Sequence, residues 1–388
     1  MKILNIEELR QNTVNGSTLK ISLDLTGTNI KYNPAENVLI YPKNKEDIVN
    51  IVFNQLAMDK ENNYINYKIL SKEKENLNLP LPEGITVKEA LSEYIDLSCQ
   101  INIEILKILI IYLTDVNQKS KINEIINNED KQKDFLSKNY NIADFIKEFD
   151  SLQLSLQELC EIFPTITPRY YTCASSFNKN NNLIEIIITL VGWKGPKGDK
   201  RYGITSNYIN DLFISKSFQK KDEYLNILIK PSEFKLPANL QTPMLMLCTG
   251  SGIAPFISFL QEFESIKNKN NDIKFETYLI FGSMNKKNDF IFEKEINDFK
   301  NKGILTEYYT AFSRDQEKKI YVQNVLGNNF DKEKLEKLIS KGMIVYICGS
   351  TSMGKAVNEK LKELIGNDLY VKMINNGQLI SETCENKK

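Results

Sequence analysis

Downstream of Thr242 the chain alternates short apolar runs with longer helical patterns, and this rhythm constrains the fold more than any other feature. Candidate strands run from Met244 to Cys248, Phe275 to Phe281, Ile304 to Phe312 and Met343 to Cys348. Their starts are roughly thirty to forty residues apart, the length of a βα unit in a parallel sheet. Such sheets bind ligands beyond the carboxyl ends of their strands, and the polar signatures of this half sit there. Cys248-Thr249-Gly250-Ser251-Gly252-Ile253-Ala254-Pro255-Phe256 joins the first strand to a helix. Its two glycines let backbone amides approach a pyrophosphate, and Pro255 suits a first helical turn. Ala311-Phe312-Ser313-Arg314, with Lys318, Lys319 and Tyr321 after it, gathers a hydroxyl, a guanidinium and ammonium groups behind another strand. A dianionic 2′-phosphate calls for such cations, whereas a free 2′-hydroxyl calls for a carboxylate. A solvated basic turn is the alternative reading. Tyr346-Ile347-Cys348-Gly349-Ser350 ends the fourth strand on a thiol, for which an inert core position is the default.

The first half has a different pattern. Thr18 to Leu25 alternates strictly and predicts a half-buried strand; Gly27 turns the chain, and Val38 to Tyr41 predicts a second strand that stops at Pro42. Ile48, Ile51, Val52 and Leu56 then mark a helix. Residues 62–82 are polar, end in Leu79-Pro80-Leu81-Pro82 and read as a linker. Thr86-Val87-Lys88-Glu89 fits a capping box and opens a helical block, about 83–163, that carries no chemical motif and reads as a spacer or docking insertion.

Chemistry returns at Pro168-Arg169-Tyr170-Tyr171-Thr172-Cys173-Ala174-Ser175-Ser176. A guanidinium, two phenol rings and a hydroxyl on one extended segment are the groups a bound flavin needs: a cation for its pyrophosphate, a ring for stacking and a donor near N5. A buried strand with ordinary tyrosines is the bland alternative. Leu183 to Val191 predicts the next strand, followed by Trp193, the only tryptophan, and a loop from Lys194 to Arg201. Gly203-Ile204-Thr205-Ser206 then precedes a helical pattern, where a glycine, hydroxyls and a helix N-terminus can meet a phosphate. A plain helix cap is the alternative. Tyr224 to Ile229 supplies one more strand, so the β part reads as one barrel interrupted by the helical block.

Fifty basic and fifty acidic residues among 388 cancel, so no overall field favours nucleic acid or an anionic membrane. The length suggests two or three domains. There is no histidine, which removes the commonest neutral-pH base and metal ligand and points to chemistry borne by a cofactor. The six cysteines are dispersed with no CxxC pair, so neither a metal site nor a disulfide framework is indicated, and a reducing, cytoplasmic setting is expected. The apolar run at Ile103 to Leu113 is too short to span a bilayer, and no membrane segment is expected.

Taken in order, these stretches resemble the ferredoxin-NADP reductase superfamily, and most closely its diflavin reductase branch of NADPH-haemoprotein (cytochrome P-450) reductase, methionine synthase reductase and sulfite reductase flavoprotein. The resemblance covers about residues 15–384. It implies an antiparallel FAD-binding barrel with a helical connecting insertion (1–240), then a parallel-sheet, Rossmann-like NADP-binding α/β domain (241–388). It assigns Arg169 to the FAD pyrophosphate, Tyr171 to ring stacking with Tyr170 beside it, Thr172 to N5, Gly203, Ile204, Thr205 and Ser206 to the pyrophosphate, Ile187, Ile188 and Thr189 to the flavin wall, and Trp193 to adenine packing. For NADPH it assigns Ser251 to the pyrophosphate loop, Ser313, Arg314, Lys319 and Tyr321 to the 2′-phosphate end with Gln323 just beyond, and Cys348 and Glu382 to the nicotinamide. The implied reaction carries electrons from NADPH through FAD to a separate one-electron acceptor protein, flavodoxin-like or haem-containing.

Three departures from the family pattern stand out. The relatives carry an FMN-binding domain ahead of this region, so electrons are expected to go to a separate carrier or directly to an acceptor, unless the sequence is an excised fragment. Cys384 takes the place of a C-terminal aromatic that covers the flavin, which predicts an uncovered ring face and looser nicotinamide discrimination. Ser350 stands where an acidic residue is usual, which leaves Glu382 as the carboxylate candidate. A catalytically degenerate relative serving as an interaction subunit, and a ferredoxin or flavodoxin reductase, are the competing readings.

Overall fold

The computed structural model describes residues 1–14, 16–56, 81–82 and 85–384. The strands are β1 (Ile3–Glu8), β2 (Thr18–Asp24), β3 (Asn37–Tyr41), β4 (Arg169–Thr172), β5 (Leu183–Thr189), β6 (Gly192–Lys194), β7 (Lys200–Tyr202), β8 (Asn226–Lys230), β9 (Met244–Thr249), β10 (Thr277–Ser283), β11 (Glu307–Phe312), β12 (Ile344–Ser350) and β13 (Leu379–Cys384). The helices are α1 (Glu46–Gln55), α2 (Val87–Glu93), α3 (Ile103–Leu109), α4 (Val116–Ile126), α5 (Glu129–Ser137), α6 (Ile142–Glu148), α7 (Leu156–Ile162), α8 (Ile204–Ser215), α9 (Ala254–Lys269), α10 (Lys286–Asp289), α11 (Glu293–Asn301), α12 (Val322–Asn329), α13 (Lys332–Ser340), α14 (Thr351–Ile365) and α15 (Asn367–Asn375). They form two compact units. One comprises Met1–Leu39, Tyr170–Thr189 and Lys216–Lys388; the other comprises Ile40–Arg169 and Leu190–Ser215.

In the first unit, β1, β2 and β5 make an antiparallel sheet with β2 in the middle. Its central column is apolar because the residues facing one another are: Ile6, Ile21 and Ile186 are in register, and Ile21 and Ile186 are fully buried. A second small sheet, in the order β4-β3-β8, belongs to this unit through Tyr170–Thr172, Asn37–Leu39 and β8.

The same unit contains a five-stranded, all-parallel sheet in the order β11-β10-β9-β12-β13. The chain builds outward from β9 to β11 on one side, then crosses back to lay β12 and β13 on the other. The switch point therefore lies between β9 and β12. Both faces of β9 are covered, as a parallel sheet requires, and every residue from Met244 to Cys248 is buried. Met244, Met246 and Cys248 face α9, which brings Phe256, Phe259 and Phe263. Leu245 and Leu247 face the opposite layer, with Leu326, Val357 and Leu361 of α12 and α14. The α9 cluster does not stop at the sheet: Ala35, Ala174 and Ile187 from the antiparallel strands, and Phe234, belong to it.

In the second unit, α2, α3, α6 and α7 are each seven residues long and would be marginal alone. Their ends are specified locally. Thr86, Asn141 and Ser155 form capping boxes with Glu89, Asp144 and Glu158, and Asn102, Asp115 and Asn128 cap α3, α4 and α5. Their apolar faces meet in a core that includes Leu91, Leu106, Phe145, Phe149 and Leu159.

The expected antiparallel start, helical insertion and parallel α/β half are all present. The differences are at weak signals. β1 and the edge strand β13 were not expected from the pattern, and the segment from Lys194 to Arg201 is a tight hairpin rather than an open loop, turning at Gly198 with φ +76°. Its flanking residues are polar and do not alternate, so nothing in the pattern marks them as strand. The expected linker at 62–82 lies outside the described residues except for 81–82. Among the described residues no helix is long and apolar enough to cross a membrane.

Candidate functional site

In the second unit, the chain from β6 to α8 is held in one geometry by a short list of bonds. Arg201 donates to both oxygens of Asp144, through Nη2 to Oδ1 at 2.7 Å and through Nη1 to Oδ2, while its Nε donates to Asp199 at 2.8 Å. The hydrogen bonds to Asp144, against the opposing effect of burial, hold the guanidinium even more firmly in its charged form. Gly203 N–H donates to Val191 O at 3.0 Å, and Val191 N–H in turn donates to Ser206 Oγ at 3.2 Å. Gly203, Ile204, Thr205 and Ser206 are thereby fixed at the start of α8, whose first N–H groups have no partner within the helix. Thr205 adds a second vacancy of donors and acceptors: its Oγ1 is buried and has no hydrogen-bond partner among the described residues. A buried hydroxyl left unpaired costs about 1–3 kcal/mol. A phosphate oxygen would satisfy it, so this turn fits a dinucleotide pyrophosphate. The Trp193 ring passes 4.0 Å from where a Cβ on Gly203 would stand and is partly open to solvent. Arg169 donates through Nη1 to Thr167 O and Oγ1 at 2.7 and 2.6 Å and lies 4.0 Å from Asp96, an exposed cation steadied by its own turn.

In the first unit, β4 carries Tyr170 outward, at 59% exposure, and Tyr171 and Thr172 half-buried. On β5, Ile187 and Thr189 share one face and Ile188 has the other. Ile188 is fully buried against Leu19, so its side chain is not available to a ligand; Ile187 packs in the α9 cluster, and Thr189 Oγ1 lies 3.2 Å from Thr18 Oγ1. Cys173, directly after Thr172, is packing: burial pushes its thiol up to about 11.

The second group of candidate residues lies at the carboxyl ends of the parallel strands, where such sheets bind ligands. Gly250 has φ +55°, a conformation that favours glycine, and Gly252 has no room for a side chain, because a Cβ there would stand 2.4 Å from the carbonyl oxygen of Cys348. The turn carrying Ser251 is thus pressed against the end of β12 at the switch point. Farther along the sheet, Ser313 N–H donates to Ser283 O at 3.0 Å and Arg314 N–H to Met284 O at 2.8 Å. Asp315 accepts from Asn285 Nδ2 and Lys286 N, which pins the loop after β11 to the loop after β10. Arg314 and Lys319 are exposed, and among the described residues neither has an ion-pair partner. Tyr321 and Gln323 open α12 next to them. Ser283 Oγ is buried without a hydrogen-bond partner among the described residues, a second hydroxyl fit for a ligand and one that no motif points to.

Across the switch point runs a row of three residues in register: Cys248 on β9, Cys348 on β12 and Glu382 on β13. Glu382 Oε1 accepts from Ser232 Oγ at 2.7 Å and from Glu233 N–H at 3.2 Å, so the loop after β8 steadies the carboxylate. The sequence names Cys348 and Glu382 but not Cys248 or Ser232 as neighbours, since strand order, not spacing, brings them together. Ser350 accepts from Met353 N–H and caps α14. Cys384 ends β13 in register with Ser350.

The model of the FAD binding domain matches residues 1–208, and that of the oxidoreductase NAD-binding domain matches residues 246–359. The sulfite reductase [NADPH] flavoprotein component of Saccharomyces cerevisiae is 29% identical over 351 residues, covering 90% of this chain and 32% of its own length. NADPH–cytochrome P450 reductase of Cavia porcellus is 27% identical, with 85% and 49% covered, and that of Salmo trutta is 29% identical, with 89% and 54% covered. The chain spans about half the length, or less, of these curated relatives. The architecture is that of an antiparallel FAD-binding barrel followed by a Rossmann-like parallel domain, and its cofactors are FAD and NADPH. Because the first model covers more than half of its residues, the chain belongs to the FAD binding domain family, in the diflavin reductase branch.

Proposed function

We propose that the protein is an NADPH-dependent flavoprotein reductase that passes electrons from NADPH through FAD to a separate one-electron acceptor protein, either a flavodoxin-like FMN protein or a haemoprotein. In this reading residues 1–240 form the FAD-binding domain and 241–388 the NADP-binding domain, and the protein works in the cytoplasm. The observation that carries it is the switch-point arrangement: a glycine turn without room for a side chain, pressed against a strand end whose Cys348 is in register with a steadied Glu382.

Bound FAD supplies the conversion of a two-electron hydride into single electrons. The residues of the chain bind and orient. Arg169 and the Gly203–Ser206 turn take the FAD pyrophosphate, Trp193 packs on the adenine, and Tyr171 stacks on the ring with Tyr170 beside it. Thr189 lines the ring by side chain, and Ile187 and Ile188, both buried, by backbone only. Thr172 directs its hydroxyl at N5 and favours charge there. Ser251 takes the NADPH pyrophosphate, while Ser313, Arg314, Lys319, Tyr321 and Gln323 take the 2′-phosphate end. Cys348 and Glu382 set the nicotinamide in place, and Cys384, in the position of a covering aromatic, leaves the ring face accessible. No step calls on a protein base, in keeping with a chain without histidine.

The test is stopped-flow mixing of the FAD-loaded protein with NADPH, following the flavin absorbance, and then offering flavodoxin-like and haem carriers to the reduced protein. Bleaching on mixing and recovery on adding a carrier are expected. A purified protein that is colourless and whose melting temperature ignores FAD and NADPH would sink the reading.

A further inference from the structure

Cys248 and Cys348 are distant in sequence and belong to no motif in common, yet they sit side by side. They are directly paired in the parallel ladder between β9 and β12. Both point to the same side of the sheet, since both belong to the cluster that faces α9, whereas Leu247 and Ile347 belong to the cluster behind. Directly paired residues on neighbouring strands have Cα atoms about 4.8 Å apart, inside the roughly 4.4–6.8 Å that a disulfide spans. Accessibility divides their roles: Cys248 is 0% exposed and Cys348 is 9% exposed at the strand end. Burial, and then the proximity of Cys348, raises the Cys248 thiol well above its ordinary value, so it stays protonated. The starts of α9 and α14 follow these two strand ends, and helix starts favour negative charge such as a thiolate. Glu382, in register on the far side of Cys348, opposes that effect but is itself engaged by Ser232 and Glu233.

We propose that Cys248 and Cys348 form a redox-active dithiol, a modification site that closes to a disulfide when peroxide reaches the strand end. The Cys348 thiolate attacks one peroxide oxygen and breaks the O–O bond; its sulfur loses two electrons and becomes sulfenic acid, and hydroxide leaves. Cys248 sulfur then attacks the Cys348 sulfur, the S–O bond breaks, and the departing hydroxyl takes the Cys248 proton as water. Two thiols and one hydrogen peroxide thus give one disulfide and two waters, and an external dithiol reverses the change. The regulatory consequence, though not the disulfide, rests on the proposed placement of nicotinamide at Cys348: with its sulfur drawn onto β9, the residue no longer meets that ring.

The experiment treats the FAD-loaded protein with hydrogen peroxide and maps its peptides by mass without reduction. The expected result is a Cys248–Cys348 linked peptide, two fewer titratable thiols per chain, and flavin reduction by NADPH slowed by at least about tenfold and restored by dithiothreitol. In Cys248→Val, and in Cys248→Ala as a second variant, the link is absent and Cys348 proceeds to irreversible sulfinic acid. Dimedone-trapped sulfenic acid or sulfinic acid at Cys348 in the wild-type protein, with no link to Cys248, overturns the proposal. A link that leaves flavin reduction unchanged upholds the dithiol and removes Cys348 from the nicotinamide site; no link in a protein that NADPH reduces normally does the reverse.

Discussion

Ser176 donates its hydroxyl hydrogen to Glu262 at 2.5 Å, joining the loop after β4 to the middle of α9, where both residues are buried. Asn178 donates to the other carboxylate oxygen at 2.7 Å, so the buried charge is satisfied on both sides. Ser176→Ala leaves one oxygen without its donor, and urea unfolding is expected to show a loss of about 1.5–3 kcal/mol. Ser176→Ala combined with Glu262→Leu removes the charge along with its donor and is expected to lose less than the sum of the two single changes, by about 1 kcal/mol or more. Strict additivity would show that the bond contributes nothing.

The proposed role of the Thr205 hydroxyl at the FAD pyrophosphate predicts that stability and cofactor affinity respond differently to its loss. Thr205→Val removes a buried group that has no partner among the described residues, so the FAD-free protein is expected to melt at the same temperature or higher. With FAD bound, the same change is expected to weaken binding by about fivefold to tenfold, as the loss of one hydrogen bond of about 1–1.5 kcal/mol. Calorimetry of both forms checks it; equal losses in the two would place the hydroxyl in the core rather than at the ligand.

The proposed placement of Arg314 and Lys319 at the 2′-phosphate predicts an effect on the choice of dinucleotide. Arg314→Ala is expected to reduce kcat/KM for NADPH by about tenfold to a hundredfold, the worth of a charge-assisted hydrogen bond to phosphate, and to leave that for NADH within about twofold. Steady-state kinetics with both donors decide. A parallel fall for NADH would move the residue away from the 2′-phosphate end.

Acid sensitivity is expected from Glu264 of α9. Burial works against its charge, but hydrogen bonds and charges from Lys179 and Lys302 prevail and hold its carboxyl below the ordinary value of 4.5. Both lysines are in contact with it, Lys179 at 2.6 Å. A lowered folded value means that this stabilisation is complete above pH 4.5 and is lost as pH falls through the folded value. Unfolding free energies measured from pH 7 to pH 3 are expected to fall less steeply below pH 4.5 in Glu264→Gln than in the parent. Identical slopes would contradict it.

The pattern of the chain disclosed what depends on local order. Met244 to Cys248 is an uninterrupted apolar run because β9 is covered on both faces; Pro255 marks a helix start by its fixed backbone and Thr86 by its capping hydroxyl. The turns at Gly203 to Ser206 and Ser313 to Arg314 were legible as turns because glycine and hydroxyl residues cluster where a helix starts or a strand ends. What escaped notice depends on pairings across the sequence. β13 has only Leu379 and Ile380 to signal it and is a strand because β12 offers it an edge. The hairpin of β6 and β7 is held by Arg201 reaching Asp144 on α6. Ser232, Ser283 and Cys248 became neighbours of the site only once strand order was fixed.

The apolar cluster around α9 has a consequence for anyone wishing to rebuild the protein. Since Ala35, Ala174 and Ile187 interlock with Met246, Phe256 and Tyr346, the parallel sheet and the antiparallel strands share one interior rather than abutting at a seam. Grafting a foreign dinucleotide module after residue 240 is therefore a problem of side-chain fit along α9, and a linker of any length leaves that problem untouched.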